Sequence, residues 1–590
     1  MCGIYCCVSP CKTENDSCHN CRVNIEEWKL CKDLISARGP DKMIENVESL
    51  TSEWCGHFVG SVLWMQGTNL ISQPCTDGNG NILLWNGDVF YGTLANGNTC
   101  DTLNILNTLK STDNVLSTLR KVQGPYSFIY YQKSSKHLYF GRDFIGRHSL
   151  LVKMNYATDS LLLSSVANKQ SKDFIEVPAI GIFIIDLCKS KLNLTCHPWK
   201  EPDLRFTDVI EDLEGKINID IDVTDTIISE IEPVTLQFHP EVKDVEYLDS
   251  FEDSVNFNQV MAHLLQDEKV QHRVKHLLEL LKNSVEVRIK KKPNFCKNCI
   301  KLILNGEIIS CKHSKVGILF SGGLDSAILA VIANSYVPED ECIDLINVAF
   351  EKPCNANTGK QTNSINYDVP DRKTGRHTFS ELQSICPKRK WNFIEVNVTQ
   401  EELRKHRASR ICNLIYPLCT ILDESLGCAV WFASRGKGIL YQTETEYECP
   451  CRILLLGMGA DELFGGYMRH RTTLKHKGWD TLTQELNLEL SRISERNLGR
   501  DDRIVADHGR QSRLPYLDEN FIKYVESLKP WERCYPTDKM PAGLGDKLLL
   551  RLLARKIGLQ ETANFPKRAF QFGSRIANGK ENAKDISQRL

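Results

Sequence analysis

Six residues, Ser321-Gly322-Gly323-Leu324-Asp325-Ser326, have the types and spacing to hold a phosphate chain. They follow Lys315-Val316-Gly317-Ile318-Leu319-Phe320, an apolar, branched run of buried-strand type. They precede Ala327-Ile328-Leu329-Ala330-Val331-Ile332-Ala333, which reads as a packed helix. A strand, a Gly-rich turn and a helix start bring backbone N–H groups and the positive end of a helix dipole to one point, which is how phosphate is cradled. No Gly-Lys-Ser/Thr follows, so the turn is not a Walker loop, and the G-x-G-x-x-G spacing of a dinucleotide site is missing. An ordinary Gly turn needs neither Ser at both ends nor Asp between them.

Two other groups could do chemistry. Cys2, if the initiator Met is removed as is usual before a small residue, becomes a thiol beside a free α-amine that titrates near neutrality and can serve as its base. Cys296-x-x-Cys299 and Cys311-x-His313 have ligand types that suit zinc, but the pattern matches no common finger and the Lys-rich flanks favour a solvated loop. Cys11, Cys18 and Cys21 make a weaker case.

These residues need more than one core to position them. At 590 residues the chain exceeds a single domain, and 42% hydrophobic with 25% charged residues is ordinary globular composition. A formal charge of −2 disfavours a nucleic-acid or anionic-membrane surface, and no apolar run reaches the length of a membrane span. The first residues lack the basic and long apolar regions of a secretory signal. The 24 cysteines are dispersed, several in apolar segments (Cys412, Cys419, Cys428), which predicts reduced thiols and a cytoplasmic protein rather than a disulfide scaffold.

Short strands with Gly and Asn turns, such as 81–85 and 128–131, fill the N-terminal part. An acidic, irregular stretch follows from about 198 to 253, with one edge strand near Ile219–Val223, and predicts a linker. An amphipathic helix is expected from Val274 to Ile289. Strands are expected at 344–350, 391–398 and 452–456, with a helix ending near Gly438 before the last, and 351–377 reads as a polar loop. Alternating α and β segments describe a doubly wound parallel sheet.

Met-Cys-Gly-Ile at the N-terminus, Arg38-Gly39-Pro40-Asp41, Trp85-Asn86-Gly87-Asp88, Gly124-Pro125-Tyr126-Ser127-Phe128 and Gly141-Arg142-Asp143-Phe144-Ile145-Gly146 occur in that order. Together they resemble the N-terminal-nucleophile glutaminase domain of class II amidotransferases. That resemblance implies an Ntn-type β-sandwich with flanking helices over residues 2–197. It implies Cys2 as nucleophile, Asn86 and Gly87 as oxyanion hole, and Asp88 and Asp101 as glutamine-binding residues. The family's Arg for the glutamine carboxylate falls at Val62, and the last Asn of its Asn-Gly-Glu-Ile-Tyr-Asn falls at Tyr91, which predicts weak glutamine binding.

In the other half Ser321–Ser326 resembles the pyrophosphate loop of enzymes that split ATP into AMP and pyrophosphate. Gly457-Met458-Gly459-Ala460-Asp461-Glu462-Leu463-Phe464-Gly465-Gly466-Tyr467 resembles the second signature of asparagine synthetases. Gly509-Arg510-Gln511-Ser512-Arg513-Leu514-Pro515-Tyr516-Leu517-Asp518, Lys547–Arg551 and Lys567 match later family segments. The resemblance is to the glutamine-dependent asparagine synthetase family, and most to its divergent asparagine synthetase domain-containing members, with which the 496–503 run Arg-Asn-Leu-Gly-Arg-Asp-Asp-Arg agrees. It implies a PP-loop domain over 271–590 with insertions near 291–313 and 351–377, after a linker at 198–270. It implies an ATP site of Phe320, Ser321, Gly322, Gly323, Asp325, Ser326, Val348, Ala349, Leu456 and Gly457, Mg²⁺ held by Asp325 and Asp461, and Lys567 stabilising charge at the α-phosphate. The implied partners are glutamine, ATP and aspartate or another acid, with no nucleic acid or membrane, and the family admits a homodimer.

Two departures bear on substrate. The family's basic Glu between the glycines of the second signature is Met458, and its Arg-containing substrate stretch aligns with Ile421–Gly427, which gains Asp423 and Glu424. Three readings stay open: an asparagine synthetase, an adenylating amide ligase for a different acid, or a scaffold that binds nucleotide or protein partners without turnover.

Overall fold

The computed structural model describes residues 1–11, 25–95, 99–112, 114–228, 256–351, 366–540, 543–577 and 581–590. Cys18, Cys21, much of the 198–270 stretch and most of 351–377 lie outside them.

Residues 3–223 build two sheets. The first has six strands, ordered 175–176, 151–155, 160–164, 3–10, 54–62 and 42–49. The second has seven, ordered 221–223, 194–198, 181–186, 137–142, 126–132, 82–87 and 75–76. Alternation along each strand divides side chains between two faces. Ile4, Cys6 and Val8 of the first sheet pack with Leu84, Ile129 and Phe140 of the second to form the inter-sheet core. The opposite face of the first sheet, through Tyr5, Cys7 and Val59, packs on Trp28, Cys31 and Ile35 of the Ile25–Arg38 helix. The outer face of the second, through Leu83, Trp85 and Phe128, packs on Ile105, Leu109 and Leu119 of the 101–110 and 115–120 helices. The result is a helix–sheet–sheet–helix stack.

The stretch expected as a linker contains more than its edge strand. Ile221–Val223 does pair, in parallel, with Leu194–Pro198. Before it, Leu204–Ile217 is a helix capped by Asp203, whose Phe206, Ile210, Leu213 and Ile217 enter the inter-sheet core. Acidic residues hid this helix: they occupy its outer face while apolar residues keep helical spacing on the inner one.

The third sheet is mixed, not wholly parallel. Its order is 446–448, 437–440, 391–398, 343–350, 316–319, 453–455 and 511–513. The last five strands are parallel, and the 437–440/446–448 hairpin adds antiparallel to the 391–398 edge. The helix expected to end near Gly438 is Ile421–Arg435. Gly436 at φ 65° closes it in the left-handed conformation, and Gly438 is in the hairpin strand. From the central Val316–Leu319 strand the chain winds one way to 343–350 and 391–398, then returns to the other side at 453–455 and 511–513. This reversal opens a crevice at the C-terminal ends of Val316–Leu319 and Ile453–Leu455, where open α/β sheets bind ligands. The Glu268–Lys290 helix, capped by Asp267, supports the sheet with Val274, Leu277, Leu281 and Val285.

Candidate functional site

The crevice is lined by the two turns that the sequence singles out. Gly323 is the N-cap of the Leu324–Asn334 helix, so Leu324, Asp325 and Ser326 form its first turn. Gly322 has φ +78°, and a Cβ there would lie 2.5 Å from Gly375 Cα of the Pro370–Ile385 helix, so only Gly lets the turn pack this closely. Thr378 Oγ1 donates to the Gly322 carbonyl at 2.7 Å and fixes the turn from behind. Gly457 directs the second turn: a Cβ on it would lie 2.9 Å from Asp325 Cβ.

The two turns meet at Lys547. Its ammonium lies 2.6 and 2.8 Å from the Asp325 oxygens and 2.7 Å from Asp461 Oδ1, while Lys567 pairs with Asp461 Oδ2. Burial works against the Lys547 charge, but Asp325 and Asp461 outweigh it and raise its pKa. Burial would likewise raise Asp461, yet Lys547 and Lys567 hold its carboxyl far below the usual range. Asp325, Asp461 and Lys567 therefore converge, and Lys547, not among the expected site residues, is the buried centre of the cluster. Its signal was weak: a Lys before an apolar helix in which φ +55° places it at the N-cap. The donor set fits magnesium, since two carboxylates on adjacent turns, held together here by an ammonium, are hard oxygen ligands that leave positions for phosphate oxygens.

The other expected residues fall around this cluster with different roles. Ser321 Oγ accepts from Gly323 N at 3.2 Å, and Ser326 Oγ donates to the Gly323 carbonyl. Phe320 and Leu456 are buried and are tied by their backbones to Ile346 O and Arg513 O at 2.8 and 3.0 Å. Val348 and Ala349 are buried and lie beyond Ile346, the last partner of the central strand, where they stay in the sheet, paired with Val396 and Asn397. Asp423 and Glu424 are already neutralised: Asp423 pairs with Arg500 at 2.8 Å, and Glu424 with Arg407 and Arg589 at 2.9 Å each. Paired in this way, the two acids present no unbalanced charge to a dianionic substrate.

A second pocket surrounds Cys2. The Cys2 N–H donates to Asn86 Oδ1 at 2.8 Å, and Arg38 Nε donates to the Cys2 carbonyl. The Asn86 amide group donates to Ser127 Oγ at 3.3 Å, so Asn86 anchors the backbone of Cys2 and does not point its N–H at the sulfur. Gln73 Nε2 lies 3.7 Å from Cys2 Sγ and also donates to the Trp85 carbonyl. Gln73 carries no motif and was not foreseen. Burial pushes the Cys2 thiol pKa up. Gly87 lines the same cavity of about 50 Å³ with Met1, whose side chain is buried there.

Asp88 and Asp101 come together across this cavity and share one donor. Gln66 Nε2 reaches Asp88 Oδ1 at 2.6 Å and Asp101 Oδ2 at 2.7 Å. Gln511 donates to Asp88 Oδ2 at 2.6 Å and brings no charge to it. Burial and the Asp88 charge push Asp101 up to about 7. Burial would raise Asp88 as well, but Arg513 holds it below the ordinary value. Val62 lines the cavity, and among the lining residues there is no Arg or Lys. Tyr91 is accounted for: its hydroxyl donates to Asp518 Oδ2 at 2.8 Å and ties the two halves of the chain together.

Among the described residues no helix is long and apolar enough to cross a membrane.

A cysteine pocket in a stack of two sheets, joined to a carboxylate–lysine cluster at the switch point of an α/β sheet, defines a two-site protein. The asparagine synthase family model matches residues 312–477 and 474–589, which hold the second site. Asparagine synthetase domain-containing protein 1 of Mus musculus is 38% identical over 646 residues, covering 100% of this chain and 99% of the relative. Asparagine synthetase domain-containing protein CG17486 of Drosophila melanogaster is also 38% identical, with 100% of both chains covered. A putative glutamine-hydrolyzing asparagine synthetase of Methanocaldococcus jannaschii is 24% identical over 52% of this chain and 47% of its own. A solved glutamine phosphoribosylpyrophosphate amidotransferase from B. subtilis overlaps with a TM-score of only 0.27 at 11% identity, over 67% of this chain and 91% of that one. The chain belongs to the asparagine synthetase domain-containing protein 1 family.

Proposed function

We propose that this protein is an ATP-dependent amide-forming ligase of asparagine synthetase type, with a glutamine-hydrolysing site at Cys2. The observation that carries the reading is the Asp325–Lys547–Asp461–Lys567 cluster beside the Ser321–Ser326 turn at the switch point. In this reading the backbone of Ser321–Gly323, with Ser326, binds the pyrophosphate of ATP, and Phe320, Val348, Ala349, Leu456 and Gly457 border the rest of the nucleotide. Asp325 and Asp461 hold Mg²⁺, which when bound neutralises phosphate charge. Lys547, freed from the carboxylates, and Lys567 stabilise charge at the α-phosphate. A carboxylate oxygen of aspartate or a related acid attacks the α-phosphorus as the bond to pyrophosphate breaks. Ammonia then displaces AMP from the acyl carbon.

The ammonia arises at Cys2. Removal of Met1 empties its part of the cavity and frees the Cys2 amine, which takes the thiol proton and passes it to the departing ammonia. The thioester left behind is hydrolysed to glutamate. Gly87 N–H and the amides of Asn86, after rotation, or Gln73 supply donors to the oxyanion. Asp88 and Asp101 receive the glutamine ammonium once Gln66 withdraws. No guanidinium meets the glutamine carboxylate, so the reading includes a high KM for glutamine.

The test measures pyrophosphate and glutamate release by the full chain with ATP and Mg²⁺, with and without aspartate and glutamine. Acid-dependent pyrophosphate release is expected, falling about a hundredfold or more in Asp325→Ala. No pyrophosphate release with aspartate or with a panel of other acids overturns the reading. Met458, partly buried and packed against the core at the crevice, favours a second acceptor, because its thioether cannot take a proton from ammonium. Release with another acid and not with aspartate selects that alternative.

A further inference from the structure

The Cys296, Cys299, Cys311 and His313 side chains lie outside both sites, in a segment whose Lys-rich flanks predict a solvated loop. The structure gathers them. His313 Nδ1 is 3.6 Å from Cys296 Sγ, 3.4 Å from Cys299 Sγ and 3.7 Å from Cys311 Sγ, and all four atoms lie within 4.8 Å of one another. A tetrahedral zinc with Zn–S of about 2.3 Å and Zn–N of about 2.0–2.1 Å has an S···N edge of about 3.5–3.6 Å. The observed edges centre on that length.

We propose that these four residues form a structural Cys₃His zinc site. Cys296 and Cys299 flank the turn that starts the short Ile300–Leu304 helix, and Cys311 and His313 return on the stretch that enters the central Val316–Leu319 strand. This excursion buries four residues in its own cluster, Phe295, Cys296, Cys299 and Ile300, and two of them are ligands. So small a core does not hold a loop without a staple. Binding displaces a proton from each of three thiols and leaves a centre of charge −1, which the flanking Lys297, Lys301 and Lys312 offset. Four ligands in a sulfur-rich tetrahedron fit zinc and leave no open position for chemistry.

The site braces the Cys2 pocket. Phe295 packs on Trp64 with ring centroids 5.0 Å apart, and Trp64 lines the cavity beside Cys2. The Arg452 guanidinium lies over Phe295 and pairs with Asp41, which accepts from Trp64 N at 2.7 Å.

The test is the metal content of the full chain, purified under reducing conditions without a metal-affinity step. One zinc per chain is expected, lost to background in Cys299→Ser/His313→Ala. Cobalt added to zinc-depleted protein is expected to give thiolate-to-metal charge-transfer bands and the visible bands of a tetrahedral ion. The cobalt measurement uses the unaltered chain and does not depend on the variant folding. Folded wild-type protein that holds no zinc and develops no charge-transfer band with cobalt overturns the proposal. So does a folded double variant that keeps its full zinc.

Discussion

Asp101 shows how one carboxyl records its surroundings. It is 5% exposed, faces the Asp88 charge, and accepts from Val89 N and Gln66 Nε2 on the same oxygen, Oδ2. Its pKa rises from 3.8 to about 7, so between those values the folded chain binds a proton that the unfolded chain has released. Stability linked to Asp101 is thus complete below about pH 4 and is lost as pH rises through 7. Asp101→Asn can keep its amide oxygen in the Oδ2 place and removes the charge. The variant is expected to match wild type near pH 4 and exceed it at pH 8 by on the order of 2–4 kcal/mol, read by urea unfolding across that range. An equal difference at both pH values would show that the Asp101 charge is not the cause. Lys547 presents the opposite case, a buried cation whose loss strands Asp325 and leaves Asp461 only Lys567. Lys547→Met is expected to cost about 3 kcal/mol in unfolding free energy and to be partly relieved by adding Asp325→Asn. Additive costs in the double variant would argue against the shared cluster.

Elements explain what the sequence revealed and what it concealed. The Trp391–Val398 strand was legible to the residue, because aromatic and branched apolar residues recur at 391, 393, 394, 396 and 398 with single polar residues between them. The Ser321–Ser326 turn was legible because strand, small residues and helix start fall within one short stretch. The Leu204–Ile217 helix was not, since its acidic face dominates the composition while only every third or fourth residue is apolar. The 437–440/446–448 hairpin escaped notice because its exposed Lys and Glu residues resemble a loop. Lys547, present only as the start of a matching family segment, and Gln73, in no motif, were not marked as site residues for a different reason. Each reaches its partners from an element remote in sequence, 222 residues from Asp325 in one case and 71 from Cys2 in the other. Local patterns specify elements, whereas the topology that joins them decides which side chains meet. The same distinction applies to Asp423 and Glu424, whose acidity was legible while their arginine partners were not.

At the scale of the whole molecule the two halves are locked by buried charge, and the 496–503 run supplies much of the lock. Asp502 accepts from Arg38 Nη2 at 2.8 Å and Ser149 N at 3.2 Å, and its other oxygen lies 2.7 Å from His148 Nδ1. Arg147 pairs with Glu519 at 2.6 Å, and Gln511 crosses to Asp88. The Gln511–Arg513 strand also pairs with Ile453–Leu455, whose end carries the Asp461 turn, so one strand pair borders both sites. Arg38 joins this lock to the chemistry by donating to the Cys2 carbonyl. Burial would raise the Asp502 pKa, but Arg38 and His148 hold it far below 3.8. Its stabilisation is therefore present above about pH 4 and is lost as pH falls through the acid range. Asp502→Asn leaves Arg38 buried without its anion, at a cost of about 3–5 kcal/mol near pH 7. The gap from wild type should narrow toward pH 3, where the wild-type contribution fades. If glutamine hydrolysis at Cys2 depends on Arg38 holding the Cys2 backbone, the variant loses glutamate release even under conditions where it remains folded by circular dichroism. Ammonia-fed pyrophosphate release should then survive better than the glutamine-fed reaction. Equal loss of both would place Asp502 in the general stability of the molecule, and a pH-independent cost would remove the ion pair as its cause.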